Sequence, residues 1–198
     1  MVMVDLTEHL RIGEDGIVRC WWCGDDPLYQ AYHDDDWGRR VTDERELFEK
    51  LILDGAQAGL SWITILRKRD GYRRAFEGFD PATVAAYGEK DVDRLLADAG
   101  IVRNRQKVHA AIGNAQALLA MHEEGETLSG LVWTHAPPPR RRRLRSGDDI
   151  PVTTPEAEAL SKALRARGWR FVGPTIVYAF MQAVGVVDDH LEGCHRAG

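Results

Sequence analysis

The side chains best suited to chemistry are two cysteines and two histidines near the two ends of the chain: Cys20, His33, His190 and Cys194. His190 and Cys194 are four positions apart, which puts an imidazole and a thiol on one face of a helical turn. Zn²⁺ favours two thiolates and two imidazoles in a closed structural site. The spacing fits ordinary buried cysteines and surface histidines equally well, and Cys23 or His195 can replace a ligand. A metal held by these residues would join the two chain ends.

The length and composition are those of a globular protein with one sizeable core or two small lobes that share a cleft. The chain has 198 residues, of which 44% are hydrophobic and 29% charged, ordinary values for this class. No stretch approaches the roughly 20 apolar residues that a membrane span needs, and the N-terminus lacks the basic and apolar regions of an export signal. Three cysteines do not form a disulfide framework, so we expect reduced thiols and a cytoplasmic location.

The chain reads as one domain with two irregular segments. Residues 1–18 are expected to be a poorly ordered N-terminal extension, and residues 19–195 a single compact unit. Within that unit, residues 136–153 contain three consecutive prolines and then an arginine run. This composition predicts either a disordered insert or a basic surface loop.

The remaining sequence predicts an all-α fold, because apolar residues recur at helical spacing. Asp43, followed three positions later by Glu46, is predicted to begin a helix. Asp80 and Thr154 each precede a proline, a pairing typical of an N-cap and the first helical residue. A last apolar helix is predicted from about Pro174 to Val184. No alternating run with turn signals predicts a strand.

The formal net charge of −5 argues mildly against a nucleic-acid partner, but the basic residues are segregated. They form four groups: Arg67–Arg74, Arg103–Lys107, Arg140–Arg145 and Lys162–Arg170. Each group alone is more often a solvated helix face. Four together favour a polyanionic partner.

The segment from Gly168 to Thr175 lies between two predicted helices and has the composition of a helix-hairpin-helix element. A glycine without a Cβ lets a DNA phosphate approach the backbone N–H groups at the start of the second helix, and cations nearby add charge contacts. A plain turn between helices is the more common alternative. The candidate DNA-binding residues are Lys162, Arg165, Arg167, Gly168, Arg170, Gly173 and Thr175.

Aromatic residues gather around one carboxylate, Asp54, which lies in a glycine-rich segment. Several tryptophans in such a set are often simply core residues. Their number near an acidic group also fits a pocket for a flat, electron-poor or cationic ring, which stacking and cation–π attraction would hold. The candidate pocket residues are Trp22, Tyr29, Tyr32, Trp37, Asp54 and Trp62.

From about Arg19 to Cys194 the chain resembles 3-methyladenine DNA glycosylase type I, of the helix-hairpin-helix DNA glycosylase superfamily. Among the blocks that carry the resemblance are Asp26-Pro27-Leu28-Tyr29, Trp37-Gly38, Ala58-Gly59-Leu60-Ser61-Trp62-Ile63-Thr64, Phe171-Val172-Gly173-Pro174-Thr175 and Tyr178-Ala179-Phe180-Met181-Gln182-Ala183.

The resemblance implies a structural zinc ion bound by Cys20, His33, His190 and Cys194, which decides against Cys23 and His195. It implies a base pocket at Tyr32 and Trp62, with Trp22, Tyr29 and Trp37 around it. The family's pocket carboxylate is usually a glutamate, and Asp54 matches that position with a side chain one methylene shorter. Asp188 stands where the family more usually has Asn, and we expect it to support the zinc site.

The implied activity is hydrolysis of the N-glycosidic bond of 3-methyladenine in alkylated double-stranded DNA, which releases the free base and leaves an abasic site. The protein is expected to act as a monomer. A non-catalytic module that binds damaged DNA is the alternative. A zinc hydrolase is disfavoured because four protein ligands leave no open coordination position.

Overall fold

The computed structural model describes residues 8–197, and this part of the chain is mostly helical, as predicted. Its α-helices are α1 (Pro27–Ala31), α2 (Glu44–Gln57), α3 (Trp62–Leu66), α4 (Arg69–Ala75), α5 (Pro81–Ala85), α6 (Glu89–Ala97), α7 (Arg105–Glu123), α8 (Leu128–Thr134), α9 (Pro155–Ala166) and α10 (Pro174–Ala183). Helix α1 continues directly into a π-helical turn, Tyr32–Asp36. No helix within residues 8–197 combines the length and apolar character needed to cross a membrane.

Three helices begin at the capping residues that the sequence predicts. The Asp43 side chain accepts a hydrogen bond from the N–H of Glu46 at the start of α2. Asp80 and Thr154 cap α5 and α9 in the same way, each followed by a proline at the first helical position. These caps satisfy N–H groups that have no partner inside the helix.

Helix α2 is the central element, and it packs against α3, α7, α8 and α10. Its residues Leu47, Phe48 and Leu51 are fully or almost fully buried. The core continues between α5 and α7 and between α9 and α10. Burial of this apolar surface is the main favourable term in folding.

The predicted disorder of residues 1–18 is wrong for the described part, because residues 10–12 and 18–20 pair as strands. Strand β1 (Leu10–Ile12) runs antiparallel to β2 (Val18–Cys20), with Leu10 opposite Cys20. Asp15 and Arg19 form an ion pair of 2.7 Å across the turn between the strands. The pair of strands is too short to show a sequence alternation. Residues 1–7 lie outside the described part of the chain.

The segment 136–153 is irregular except for a 3₁₀ turn, Gly147–Asp149, and it follows the surface. Three of its five arginines are paired with acids of the C-terminal segment: Arg140 with Asp189, Arg143 with Asp188 and Arg145 with Glu192. Of the two predicted alternatives, the structure therefore has the basic surface loop.

The turn between α9 and α10 is held in place by buried polar contacts. The Asn114 side chain accepts from the N–H of Arg170 at 2.8 Å and donates to its C=O at 3.0 Å. The Ser161 hydroxyl donates to the C=O of Val172 at 2.6 Å. Phe171 has a φ of 54°, and a Cβ added to Gly55 would lie 3.2 Å from both its Cβ and its carbonyl oxygen. The hairpin therefore packs directly on α2.

We expect Asn114→Ala to lower the free energy of unfolding by about 1–3 kcal/mol, because it leaves the N–H and C=O of Arg170 without these partners. Equilibrium unfolding in urea measures the change. Gln106→Ala, at an exposed position of the same helix, is the control and should change stability by less than about 0.5 kcal/mol. Equal effects of the two variants would contradict this assignment.

Candidate active site and metal centre

The structure brings together the four predicted metal ligands, all of them buried: Cys20, His33, His190 and Cys194. The Sγ of Cys194 lies 3.4 Å from Nε2 of His33 and 3.7 Å from Nδ1 of His190. The Sγ of Cys20 lies 4.0 Å from Nδ1 of His190. Ligands at zinc's usual bond lengths of about 2.0 to 2.3 Å would be about 3.3 to 3.8 Å apart in a tetrahedron. The donor set and spacing therefore fit a single metal ion.

Both sulfurs also accept backbone N–H groups, a contact that favours thiolates. Leu191 donates to the Sγ of Cys20, and Arg196 to the Sγ of Cys194, each at 3.5 Å. The contact between the two thiols raises the pKa of Cys20 and lowers that of Cys194.

The two residues that could have replaced a ligand lie outside the group. The Cys23 thiol donates to the C=O of Cys20 at 3.2 Å and does not join the four. His195 contacts Asp34, with its Nε2 2.8 Å from Oδ1.

Asp34 supports the ligand His33, since its Oδ1 lies 2.8 Å from the His33 Nδ1. Arg19, which is 4% exposed, donates to the same carboxylate. Burial raises the pKa of Asp34, but the hydrogen bonds with Arg19, His33 and His195 together outweigh it and hold the pKa well below its usual range. A carboxylate on the far nitrogen of a ligand histidine fixes the ring and its tautomer.

An aromatic cavity of about 240 Å³ lies beside this group, and it contains all the predicted pocket residues. Tyr32 and Trp62 have ring centroids 5.3 Å apart, and Trp22 lies 5.2 Å from Tyr29 and 5.0 Å from Trp37. The full lining is Trp22, Tyr29, Tyr32, Trp37, Asp54, Gln57, Trp62, Ile150, Ala179 and Gln182. Several rings, tilted or edge-on to one another, thus line one space, and an aromatic lining suits a flat ligand.

Two polar atoms of the pocket have no hydrogen-bond partner among the described residues, Oδ2 of Asp54 and Nε1 of Trp62. Asp54 is 4% exposed, and burial raises its pKa to about 8, although Lys50 opposes the shift. Leaving a buried acceptor unpaired costs about 1–3 kcal/mol. A ligand that donates to Asp54 would recover this free energy.

The metal group and the pocket share a wall. Trp37 packs edge-on against His190, with ring centroids 4.6 Å apart, and Trp22 lies 5.1 Å from His33. Tyr32 and His33 are consecutive residues of the π-helical turn. Tyr32 lines the pocket, while His33 belongs to the Cys/His group. Loss of the metal group would therefore loosen the aromatic wall.

Sequence reasoning missed Gln182, which lines the pocket. Its amide nitrogen donates to Asp189 at 2.8 Å, and the side chain of Asp189 is fully buried. Tyr178 and Arg140 donate to the same carboxylate. The only sequence signal was the position of Gln182 in the block from Tyr178 to Ala183. Asp188 lies outside the pocket, pairs with Arg143 and accepts from the N–H of His190.

The predicted DNA-binding residues lie on or beside the α9–α10 hairpin, but their availability differs. Lys162, Arg165 and Arg170 are exposed, and no side-chain hydrogen bond or ion pair engages them within residues 8–197. Arg167 forms a two-point pair with Glu126, at 2.6 and 2.9 Å. Gly168 has a φ of 85°, while Gly173 caps α10 and Thr175 is in its first turn.

The profile described as methyladenine glycosylase matches residues 22–197. This chain belongs to the methyladenine glycosylase family. The DNA-3-methyladenine glycosylase 1 of Escherichia coli K12 is 52% identical over 177 residues, which cover 89% of this chain and 95% of the relative. The sequence-based assignment to the family is confirmed.

Solved structures of the methyladenine glycosylase family share this fold. A crystal structure of 3-methyladenine DNA glycosylase I superposes with a TM-score of 0.88 at 51% identity, covering 91% of this chain and all of the other. A structure of the Staphylococcus aureus enzyme, described as the basis of 3-methyladenine recognition, gives 0.85 at 35% identity and covers 89% of this chain and 95% of that one.

We expect the purified methyladenine glycosylase to contain about one equivalent of bound metal, and Cys194→Ser to lose it and melt at a lower temperature, since a site that joins distant segments couples binding to folding. Elemental analysis and thermal melts measure both. Cys23→Ser is the control, because it changes a buried cysteine outside the group. Metal-free parent protein, or equal effects of the two variants, would contradict the site.

Proposed function

We propose that this member of the methyladenine glycosylase family hydrolyses the N-glycosidic bond of 3-methyladenine in alkylated double-stranded DNA, releasing the free base and leaving an abasic site. The supporting observation is the unpartnered, buried Asp54 carboxylate oxygen in an aromatic cavity. Release of free 3-methyladenine from methylated duplex DNA, with products separated and identified, tests the proposal directly.

The lesion itself supplies much of the chemistry. Methylation at N3 makes the base cationic within the nucleotide, so the glycosidic bond is weakened and the leaving group needs no protonation. The enzyme's work is then to select the flipped base and admit water to the sugar. Flipping costs a few kcal/mol, and less for a base that stacks and pairs poorly.

In this proposal the pocket recognises both the shape and the charge of the base. Tyr32 and Trp62 hold the ring by stacking, and Trp22, Tyr29 and Trp37 complete the enclosure. Asp54 accepts a hydrogen bond from the amino group, and its negative form favours a cationic ring. Because an aspartate is one methylene shorter than glutamate, the base must sit deeper or reach Asp54 through a water molecule.

The metal is proposed to be a structural zinc ion. Cys20, His33, His190 and Cys194 would fill its four positions, so no water or substrate would bind to it. When bound, it neutralises the two thiolates and fixes the wall formed by Trp22 and Trp37. Such thiols persist in a reducing compartment, which supports action in the cytoplasm. One chain carries every part of the site, in keeping with a monomer.

DNA is proposed to bind across the hairpin. The N-terminus of α10 presents free N–H groups near Thr175 to a phosphate, with Gly168 and Gly173 leaving the backbone open to it. Lys162, Arg165 and Arg170 are exposed around it. Leu60 is 41% exposed and lies in the loop that follows α2. This loop is close in sequence to Gly55, where the hairpin contacts α2. We propose that this apolar side chain enters the base stack where the lesion leaves it.

We expect Asp54→Asn to lower kcat/KM for base release roughly 5- to 150-fold, which corresponds to about 1–3 kcal/mol of lost transition-state stabilisation. Asp54→Glu restores the family's usual length and should stay active. In the parent, kcat/KM should rise with pH up to about 8, where Asp54 ionises, whereas the Asn variant should lack this step. Equal rates and pH profiles would show that Asp54 does not recognise the base.

The same group predicts a pH dependence of folding in these two proteins. Between pH 3.8 and about 8 folded Asp54 keeps a proton that the unfolded chain has lost. Stability of the parent should therefore fall across this window as pH rises, relative to Asp54→Asn. Urea unfolding over the same pH range provides the comparison.

We expect Arg165→Ala to reduce the slope of log K for DNA binding against log salt by about 0.9, the amount expected for one phosphate contact. Arg167→Ala should reduce it less, because Arg167 is already paired with Glu126. Binding to one undamaged duplex across a salt series measures both slopes. The reverse order would place the phosphate contact on Arg167 and contradict the predicted face.

A further inference from the structure

A second, larger groove of about 890 Å³ lies between the proline-rich half of the 136–153 loop, the end of α8 and the segment that follows α10. It shares no lining residue with the aromatic pocket. The residues that characterise it are Arg40, Trp133, Pro138, Arg141, Arg142 and Asp188. Neither the base pocket nor the hairpin accounts for it.

The groove carries positive charge that this part of the protein does not neutralise. Its lining contains Arg40 and Arg140–Arg143, with Glu156 and Asp188 as the acids. Arg140 and Arg143 are paired with acids of the C-terminal segment. Arg40, Arg141 and Arg142 are exposed, and none makes a hydrogen bond or ion pair with residues 8–197. In a chain of net charge −5, this local excess identifies an anion-binding surface.

Two of the groove's cations, Arg40 and Arg140, are held in position before any ligand arrives. The Arg40 guanidinium lies 3.7 Å from the centroid of the Trp133 ring, and the Trp133 indole donates to the C=O of Val41 at 2.9 Å. Stacking uses the face of the guanidinium and leaves its N–H groups for an acceptor. On the other side, three prolines stiffen the chain before Arg140, whose ion pair with Asp189 anchors the loop.

We propose that this groove binds backbone phosphates of nucleic acid and gives the protein a second DNA contact, apart from the hairpin. The inference rests on the proposed function for DNA as the substrate. An extended groove with spaced, solvent-exposed arginines suits a chain of phosphates, which pairs with cations by releasing counterions. The same loop contributes Ile150 to the aromatic pocket, so one segment carries residues of both sites.

The test compares Arg141→Ala/Arg142→Ala with Arg11→Ala/Lys90→Ala, a control that removes the same charge from exposed positions outside the groove and outside the four basic groups. Binding to one undamaged duplex is measured across a salt series. The groove variant should lower the slope of log K against log salt by up to about 2, near 0.9 for each lost contact, and the control should leave it unchanged. Equal slopes for the two variants would overturn the proposal.

Two further measurements separate the alternatives. Base release at saturating enzyme should be the same in the groove variant and the parent, because the pocket is intact. If the parent releases no base, the proposed function fails, whereas the salt slopes still test whether the groove binds DNA. Inorganic phosphate and AMP are each titrated into the protein while the NMR resonance of the Trp133 indole N–H is followed. This resonance is assigned by its loss in Trp133→Phe. Saturation by either, with no change in DNA slope in the groove variant, would overturn the proposal in favour of a small phosphorylated ligand.

Discussion

The four-residue Cys/His group is the constraint on which the rest of the site depends. It ties β2 and the π-helical turn to the segment after α10. Cys20 and His190, for example, are 170 positions apart in the sequence. Closing so long a loop carries an entropic cost that local contacts cannot offset. Because Trp22 and Trp37 pack on the histidines, the group that closes the chain also shapes the cavity beside it.

The cavity combines features that do not favour folding. An acid without a partner for one oxygen and an indole N–H without an acceptor are both buried in it, and such groups cost free energy in an empty pocket. The scaffold compensates with a dense apolar core around α2 and with polar contacts that are well satisfied elsewhere, such as those of Asp189 and Asn114. Thr153 and Trp169 each have one such unpaired atom as well, but only Asp54 and Trp62 line the aromatic cavity, where a ligand can complete the bonding.

Local features of the fold could be predicted from the sequence, whereas long-range charge pairs could not. Caps such as Asp43 depend on neighbours a few residues away, and so the helix starts were confirmed. The grouping of the four metal ligands followed from family resemblance, since spacing alone left Cys23 and His195 open. The basic residues illustrate the limit. Arg167 and Arg140 read as free cations in the sequence, but Glu126 and Asp189 reach them only through tertiary structure, 41 and 49 positions away.

The contact between Gly55 and Phe171 has a mechanical consequence. Gly55 follows Asp54 directly, and its missing side chain lets the backbone of the hairpin rest on the helix that carries the pocket acid. No flexible side chain lies between the two surfaces to absorb a displacement. The distance from the hairpin backbone to the pocket acid is therefore set by main-chain contacts. In the DNA complex proposed above, the distance between a phosphate bound at the hairpin and a base held at Asp54 would be a property of the fold rather than of a closing loop.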